Sequence, residues 1–213
     1  MTGGPTTGIA GLVLAGGGST RLGGGDKTLL ELGGAPIMST VLSRLAAQVD
    51  GIAISANGDP QRFARYGVPV LADDGPSAGP LSGVLKGMRW AAGQAGCSHI
   101  LTVAGDTPFF PDDLAANLRA AVQGFPERVA IASSGGRKHP VVALWPVHLA
   151  DRLVAFLAAS KTFKVAAFLD TLDTATVEFP LLPTLDGSVD PFFNVNTSAD
   201  LEQARAIHRS LNP

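Results

Sequence analysis

Apolar positions follow two rhythms along this chain. Short, nearly continuous apolar runs read as buried strands, and stretches with apolar residues at helical spacing follow them. The run 9–14 (IAGLVL) predicts the first strand. From Pro36 to about Gln48, Ile37, Val41, Leu42 and Leu45 predict a helix. A second strand is expected at 51–55 (GIAIS), a short helix at 61–66, and a third strand at 68–73 (VPVLAD), ending on Asp73. A loop rich in Gly, Pro and Ser leads into a helix over about 81–95. The run 99–106 (HILTVAGD) predicts a fourth strand ending on Asp106. Residues 111–122 read as a helix, with Pro111 near its first turn and Asp112 and Asp113 beside the positive end of its dipole. The runs 128–133 and 140–145 predict two strands, antiparallel across SGGRKH. Helices at 147–158 and 163–169, a strand at 174–179 (TATVEF) and a closing helix at 198–210, capped by Ser198, complete the pattern.

Strands alternating with helices predict an α/β fold, a mostly parallel central sheet with helices on both faces. With no internal repeat and no dividing linker, residues 1–213 are expected to form a single domain. Ligands of such sheets bind beyond the carboxyl ends of the strands. Asp73, Asp106 and a glycine-rich loop after the first strand all fall at such ends.

Composition narrows the function classes. The chain has 213 residues, 46% of them hydrophobic, enough for a sizeable core. Its 26 Gly and 15 Pro are spread among apolar runs and indicate tight connections. A net charge of -2 with no long run of one sign excludes the footprint of a general nucleic-acid binder. Cys97 is the only cysteine, so no internal disulfide forms, and it reads as a small packing residue. The N-terminal MTGGPTTG lacks the basic and apolar regions of a signal peptide, and no apolar run approaches the roughly 18 residues of a membrane span. The expectation is a soluble, cytoplasmic monomer.

Two glycine triplets, Gly16–Gly18 and Gly23–Gly25, flank Arg21 and precede Asp26 and Lys27. A P-loop needs Lys and then Ser or Thr directly after its last glycine, but Asp26 intervenes. A dinucleotide fingerprint needs glycine where Arg21 or Thr28 stands. No helical pattern starts directly after the loop, so no helix N-terminus is expected to meet a phosphate there. Glycines still let backbone N–H groups approach an anion, while Arg21 offers a fork and Lys27 a mobile point charge. A polyphosphate suits such a loop, and so does a solvated surface role. No His or Cys cluster has zinc spacing.

The stretch LAGGGSTRLGGGDK (14–27) resembles the Leu-Ala-Gly-Gly-x-Ser-x-Arg-x-Gly-x-x-x-Lys signature of nucleotidyltransferases with a Rossmann-like domain. With GPLSGV (79–84), GDTPFFP (105–111), KHPVVAL (138–144) and FNVNT (193–197), the whole chain is similar to the molybdenum cofactor guanylyltransferases. This resemblance implies a three-layer Rossmann-like domain that transfers GMP from GTP to the phosphate of molybdopterin, with or without molybdenum, and releases pyrophosphate. The part up to about residue 110 would hold GTP and Mg2+, and the remainder molybdopterin.

The resemblance also implies site residues. Leu14, Ala15, Gly16 and Gly17 would hold the guanosine end through the backbone, and Gly at 16, where cytidylyl relatives carry Ala, favours GTP. Arg21, Lys27 and Asp106 would be catalytic, with Asp106, a hard oxygen donor, as the metal ligand. Asp73, preferred over its neighbour Asp74, would contact the nucleotide. Relatives often carry Asn where Ser55 stands, so either Ser55 or Asn57 makes that contact. Arg21, Gly24, His139, Asn194 and Asn196 would meet molybdopterin, the two asparagines facing one way on an extended segment. Lys161 and Lys164 read as a solvated face. Molybdenum-insertion proteins and recipient molybdoenzymes or their chaperones are the implied partners. Two alternatives stay open: a cytidylyl or sugar-phosphate nucleotidyltransferase, and a catalytically idle nucleotide-binding regulator or cofactor carrier.

Overall fold

The computed structural model describes residues 7–16, 27–72, 79–185 and 187–211. Strand β1 (Ile9–Leu14) is almost wholly buried. A short 3-10 turn, Lys27–Leu29, leads into the hairpin of β2 (Glu31–Leu32) and β3 (Ala35–Pro36). Then come helix α1 (Ile37–Ala46), β4 (Gly51–Ser55), a 3-10 helix (Pro60–Tyr66) and β5 (Val70–Leu71). Helix α2 (Pro80–Ala92), β6 (His99–Ala104), α3 (Leu114–Val122), β7 (Val129–Ser134) and β8 (Arg137–Pro146) follow. The chain closes with α4 (Ala150–Ala159), α5 (Val165–Leu169), β9 (Thr174–Phe179), the hairpin β10 (Leu182–Thr184) and β11 (Gly187–Val189), and α6 (Ser198–Leu211).

The central sheet has the order β5-β4-β1-β6-β8-β7-β9. Every pair is parallel except those of β8, which runs against both β6 and β7. The expected mostly parallel sheet and the expected antiparallel pair are therefore both present. Gly135 (φ 57°) and Gly136 (φ 76°) make the tight connection between β7 and β8, a left-handed backbone that side chains resist.

Period-two alternation along the strands builds two cores. Ile9 and Val13 of β1, Ile54 of β4 and Leu101 and Val103 of β6 face the layer that includes α1 and α3, where Val41, Leu45 and Leu118 are buried. Ala10, Leu12, Ala53 and Ile100 face the other layer, with Val84 and Met88 of α2 and Phe168 of α5. Each strand is thus apolar on both sides, as a sheet covered on both faces requires.

Several boundaries differ from expectation for local reasons. Strand β5 covers only Val70–Leu71, since Pro69 has no N–H to extend the ladder. The fourth strand stops at Ala104: Gly105 N still donates to Leu14 O, but Gly105 and Asp106 form a turn. Helix α3 starts at Leu114 instead of Pro111. Asp112 is drawn into a 2.5 Å ion pair with Arg44 of α1. Buried Gln48, expected to end α1, bridges the two helices: its amide donates to Arg44 O and Pro111 O and accepts from Ala115 N. The cap of α6 is Thr197, not Ser198. Thr197 Oγ1 accepts from Asp200 N, and Asp200 Oδ2 accepts from Thr197 N, a reciprocal capping pair. The two small hairpins were absent from the sequence pattern because strands of two or three residues carry no readable period.

Candidate active site

The chain leaves β1 for β4 and β5, then crosses back to β6 on the other side of β1. The strand order reverses there, and the carboxyl ends of β1 and β6 diverge into a crevice. Leu14 pairs with Ser55 on one side and Ala104 on the other. A cleft of about 200 Å³ opens over these ends. Leu14, Gly16, Ser55, Asn57 and Asp106, all named from the sequence as candidate nucleotide contacts, line it. Ala15 N donates to Ser55 O at 2.8 Å and Leu14 O accepts from Gly105 N at 3.0 Å, so these two backbone groups already serve the sheet. Ser55 is buried and Asn57 exposed, and both reach the cleft wall.

The N-terminus of α2 supplies a wall that the sequence reading missed. Gly79 (φ 65°) turns the chain into the helix, Pro80 occupies its first position, and both line the cleft with Gly83. A Cβ at Gly83 would lie 2.5 Å from Ser55 Oγ and 2.7 Å from Leu14 Cδ2, so only glycine lets α2 approach this closely. Pro80 has no N–H and Ser82 N donates to Gly79 O at 3.2 Å, so what this helix start offers an anion is chiefly the positive end of its dipole. The expectation that no helix start meets the cleft considered only the segment after the glycine loop, whereas this helix arrives from elsewhere in the chain.

Asp106 sits just past β6, half-buried. Its Oδ1 accepts from Asn194 Nδ2 at 2.8 Å, and the same amide donates to Thr107 Oγ1 at 3.0 Å. Val195 N donates to Asp106 O at 2.9 Å. Lys27 Nζ donates to Asn196 Oδ1 at 2.9 Å. The two asparagines of NVNT, 169 residues from Lys27 in the case of Asn196, thus hold the expected carboxylate and the expected cation. Burial pushes the Asp106 pKa above the usual carboxylate value, against the Asn194 hydrogen bond and the Lys27 charge, which favour the ionised form.

A second hollow of about 180 Å³ shares Ala104, Val141 and Asn194 with the first. Thr107, Arg137, Lys138, His139 and Phe192 complete much of its lining. Its shape depends on a bulge in β8. Pairing with β7 passes from Ile131↔Ala143 to Ala132↔His139, leaving Pro140, Val141 and Val142 without partners on β7. Buried Thr102 of β6 pins this bulge, its Oγ1 lying 2.6 Å from Val141 O while accepting from Trp145 Nε1 at 3.0 Å. Sequence reading missed Thr102, because a threonine inside an apolar strand carries no sign of its partners. His139 is buried at the base of the bulge and packs on Phe192, ring centroids 4.7 Å apart. Its Nε2 lies 3.0 Å from Asp190 Oδ2. The approach is oblique: it is an ion-pair contact in distance, without the alignment of a hydrogen bond. Burial lowers the His139 pKa despite the opposing Asp190 carboxylate.

Among the described residues no group of three or more His, Cys, Asp or Glu could hold a metal. One carboxylate at the mouth of a cleft does not suit a cation caged by protein. It does suit a hard divalent cation that keeps waters and leans on substrate phosphates. Gly17, Arg21, Gly24, Asp73 and Asp74 lie outside the described residues. No helix among the described residues is long and apolar enough to cross a membrane.

Residues 11–175 match the family model of the MobA-like NTP transferase domain. The chain is 47% identical over 204 residues to a molybdenum cofactor guanylyltransferase of Mesorhizobium japonicum, covering 95% of this chain and 97% of the relative. It is 43% identical over 209 residues to one of Bradyrhizobium sp., covering 97% and 96%. The fold is similar to that of molybdopterin-guanine dinucleotide biosynthesis protein A from Archaeoglobus fulgidus, with a TM-score of 0.70, 21% identity and coverage of 92% of this chain and 96% of that one.

Proposed function

The chain belongs to the MobA-like NTP transferase family, among its molybdenum cofactor guanylyltransferases, and on that footing we propose how its residues carry GMP transfer. It is a nucleotidyltransferase that moves GMP from GTP to the phosphate of molybdopterin and releases pyrophosphate. An oxygen of the acceptor phosphate bonds to the α-phosphorus of GTP, and the bond to the β-phosphate oxygen breaks. The nucleophile is already an anion, so the protein needs no covalent intermediate and works by positioning and electrostatics.

The guanosine end rests against Leu14, Ala15, Gly16 and Gly17, of which Leu14 O and Ala15 N are already taken by the sheet, with Ser55 or Asn57 and Asp73 as further contacts. The exposed amide of Asn57 is the better placed of the alternatives, because Ser55 is packed under Gly83. Lys27 and Arg21 offset phosphate charge. Asp106 is the residue to hold Mg2+, which when bound would neutralise charge on the phosphate oxygens. Asn194 keeps the Asp106 carboxylate aimed at the cleft, and Asn196 keeps Lys27 beside it. Arg21, Gly24, His139, Asn194 and Asn196 serve the acceptor side, where the second hollow adjoins Asn194. On this reading residues 1–213 work as one domain, the part to about 110 for GTP and metal and the rest for molybdopterin. The chain acts as a cytoplasmic monomer, with molybdenum-insertion proteins and recipient molybdoenzymes or their chaperones as partners.

The observation carrying this assignment is that Asp106 and Lys27, distant in sequence, are held by one segment at the strand-order reversal. Purified protein incubated with labelled GTP or CTP, Mg2+ and molybdopterin tests it. Label enters the dinucleotide from GTP; entry from CTP alone would overturn the choice of nucleotide.

A further inference from the structure

We propose that Asp190, through His139, is a positioning residue that sets the Asn194–Asn196 segment against Asp106 and Lys27. This rests on the active-site reading above and extends it to a residue outside the cleft's recognised motifs.

The segment from Asp190 to Asn196 has no regular secondary structure, so something other than a ladder must fix it. Asp190 fixes its start. Its Oδ1 accepts from Phe192 N at 2.8 Å and its carbonyl accepts from Phe193 N at 3.1 Å, which winds the chain into a tight turn. The other carboxylate oxygen faces His139 Nε2 at 3.0 Å. His139 belongs to β8 at the base of the bulge, and Phe192 packs against its ring. Phe192 is itself nearly fully buried and meets Phe179 of β9 edge-on, centroids 5.6 Å apart. The turn is thereby locked to two strands of the central sheet.

Four residues on, the same segment delivers Asn194 to Asp106 and Thr107, and Val195 N to Asp106 O. Asn196 follows on Lys27. The path from Asp190 to the carboxylate is short and crosses packed, hydrogen-bonded groups. The Asp190 carboxylate, 3.0 Å from Nε2, favours the tautomer carrying its proton there through charge, and the packing of Phe192 on the ring keeps ring and turn together. Outer residues that orient a metal-binding carboxylate in this way govern metal affinity and turnover without touching substrate.

Asp190→Asn is the informative variant. Its side-chain carbonyl can still accept from Phe192 N, so the turn survives, while the charge facing His139 is lost. The expected result is kcat lowered about tenfold, with the KM for GTP changed less than about twofold. The Mn2+ concentration giving half-maximal binding to the protein–GTP complex, read by Mn2+ paramagnetic resonance without acceptor, should rise about tenfold. In an Asn194→Ala background the same substitution should add little, because the route through Asn194 is already cut. Asp190→Glu should restore part of the lost turnover. Parental Mn2+ binding and kcat in Asp190→Asn would overturn the proposal. So would full additivity with Asn194→Ala, or losses that merely track the fraction of protein unfolded. The Mn2+ readout needs no molybdopterin, so an unsubstituted protein that binds GTP and Mn2+ but transfers no nucleotidyl group from GTP or CTP to molybdopterin would instead count against the proposed function.

Discussion

Replacing Thr102 by Val tests whether one hydroxyl joins the core to the cleft. The two side chains are nearly the same shape, and Thr102 is fully buried, so the change is one of polarity. In the parent, Thr102 Oγ1 lies 2.6 Å from Val141 O and 3.2 Å from Ala143 O, and its single proton goes to the nearer carbonyl. It also accepts the indole N–H of Trp145, a side chain with no exposure. Valine leaves that N–H without a partner, at a cost of about 1–3 kcal/mol, and forfeits the bond to Val141 O, worth about 1 kcal/mol. The better burial of a methyl group offsets part of this, leaving about 2–3 kcal/mol. A chain of this length has an unfolding entropy of roughly 450 cal/mol/K, so the melting temperature should fall by about 4–7 °C. Urea denaturation followed by tryptophan fluorescence and by circular dichroism measures the free energy. The indole N–H resonance of Trp145 reports the bond directly. Thr102→Ser keeps the hydroxyl and should cost only about 1 kcal/mol for the lost methyl. If the Val variant lies within about 0.5 kcal/mol of the parent, or the Ser variant is the weaker, the hydroxyl does not anchor the bulge and the reasoning fails.

Further outcomes follow from the same geometry. Asp106→Asn should lower kcat by roughly 10³-fold in steady-state assays. Because burial disfavours the charged carboxyl, that variant should be at least as stable as the parent in denaturant, and a destabilised Asn variant would contradict the site's electrostatics. Gly83→Ala places a methyl 2.5 Å from Ser55 Oγ and should raise the KM for GTP about five- to tenfold while costing about 1–3 kcal/mol of stability. Adding Ser55→Ala should return only part of the loss, since Leu14 still lies 2.7 Å away. His99 should make stability pH-dependent. Burial first, then the charges of Arg119 and His148, lower its pKa from 6.5 to about 4. Its Nδ1 accepts from Arg119 at 2.7 Å, which requires the neutral ring, and Ser98 Oγ lies 2.8 Å from the same nitrogen. The unfolded chain takes up the proton first as pH falls, so stability should drop between about pH 6.5 and 4, by about 1–2 kcal/mol after allowing for solvent screening of a half-exposed group. Denaturation at several pH values should show this slope reduced in His99→Gln; an unchanged slope would assign it elsewhere.

Much of the architecture was legible in the primary structure, because both periods of the fold are written locally. β1, β4 and β9 have the expected limits, since each is a short apolar or β-branched run with a turn residue at an end. The failures have physical causes as well. Pro69 shortened β5, Arg44 and Gln48 of α1 held back the start of α3, and Thr197 took the cap from Ser198 through Asp200. The proline acts by itself, while the other two depend on partners that the local pattern does not name.

The candidate site divides along the same line. Sequence alone, through its motifs, pointed to Leu14–Gly16, Lys27, Asp106 and the asparagines of NVNT as the residues proposed for nucleotidyl chemistry, since residue type and order suffice for a resemblance. It also determined the kind of sheet that brings strand ends to one edge. Tertiary structure decided what those residues hold. Asn194 grips Asp106 and Asn196 grips Lys27, the N-terminus of α2 walls the cleft, and a bulge pinned by Thr102 opens the second hollow. Those contacts span tens to well over a hundred residues. Hydrogen-bond partners and close packing at such separations are set by the crossing of strands, and no local pattern records them.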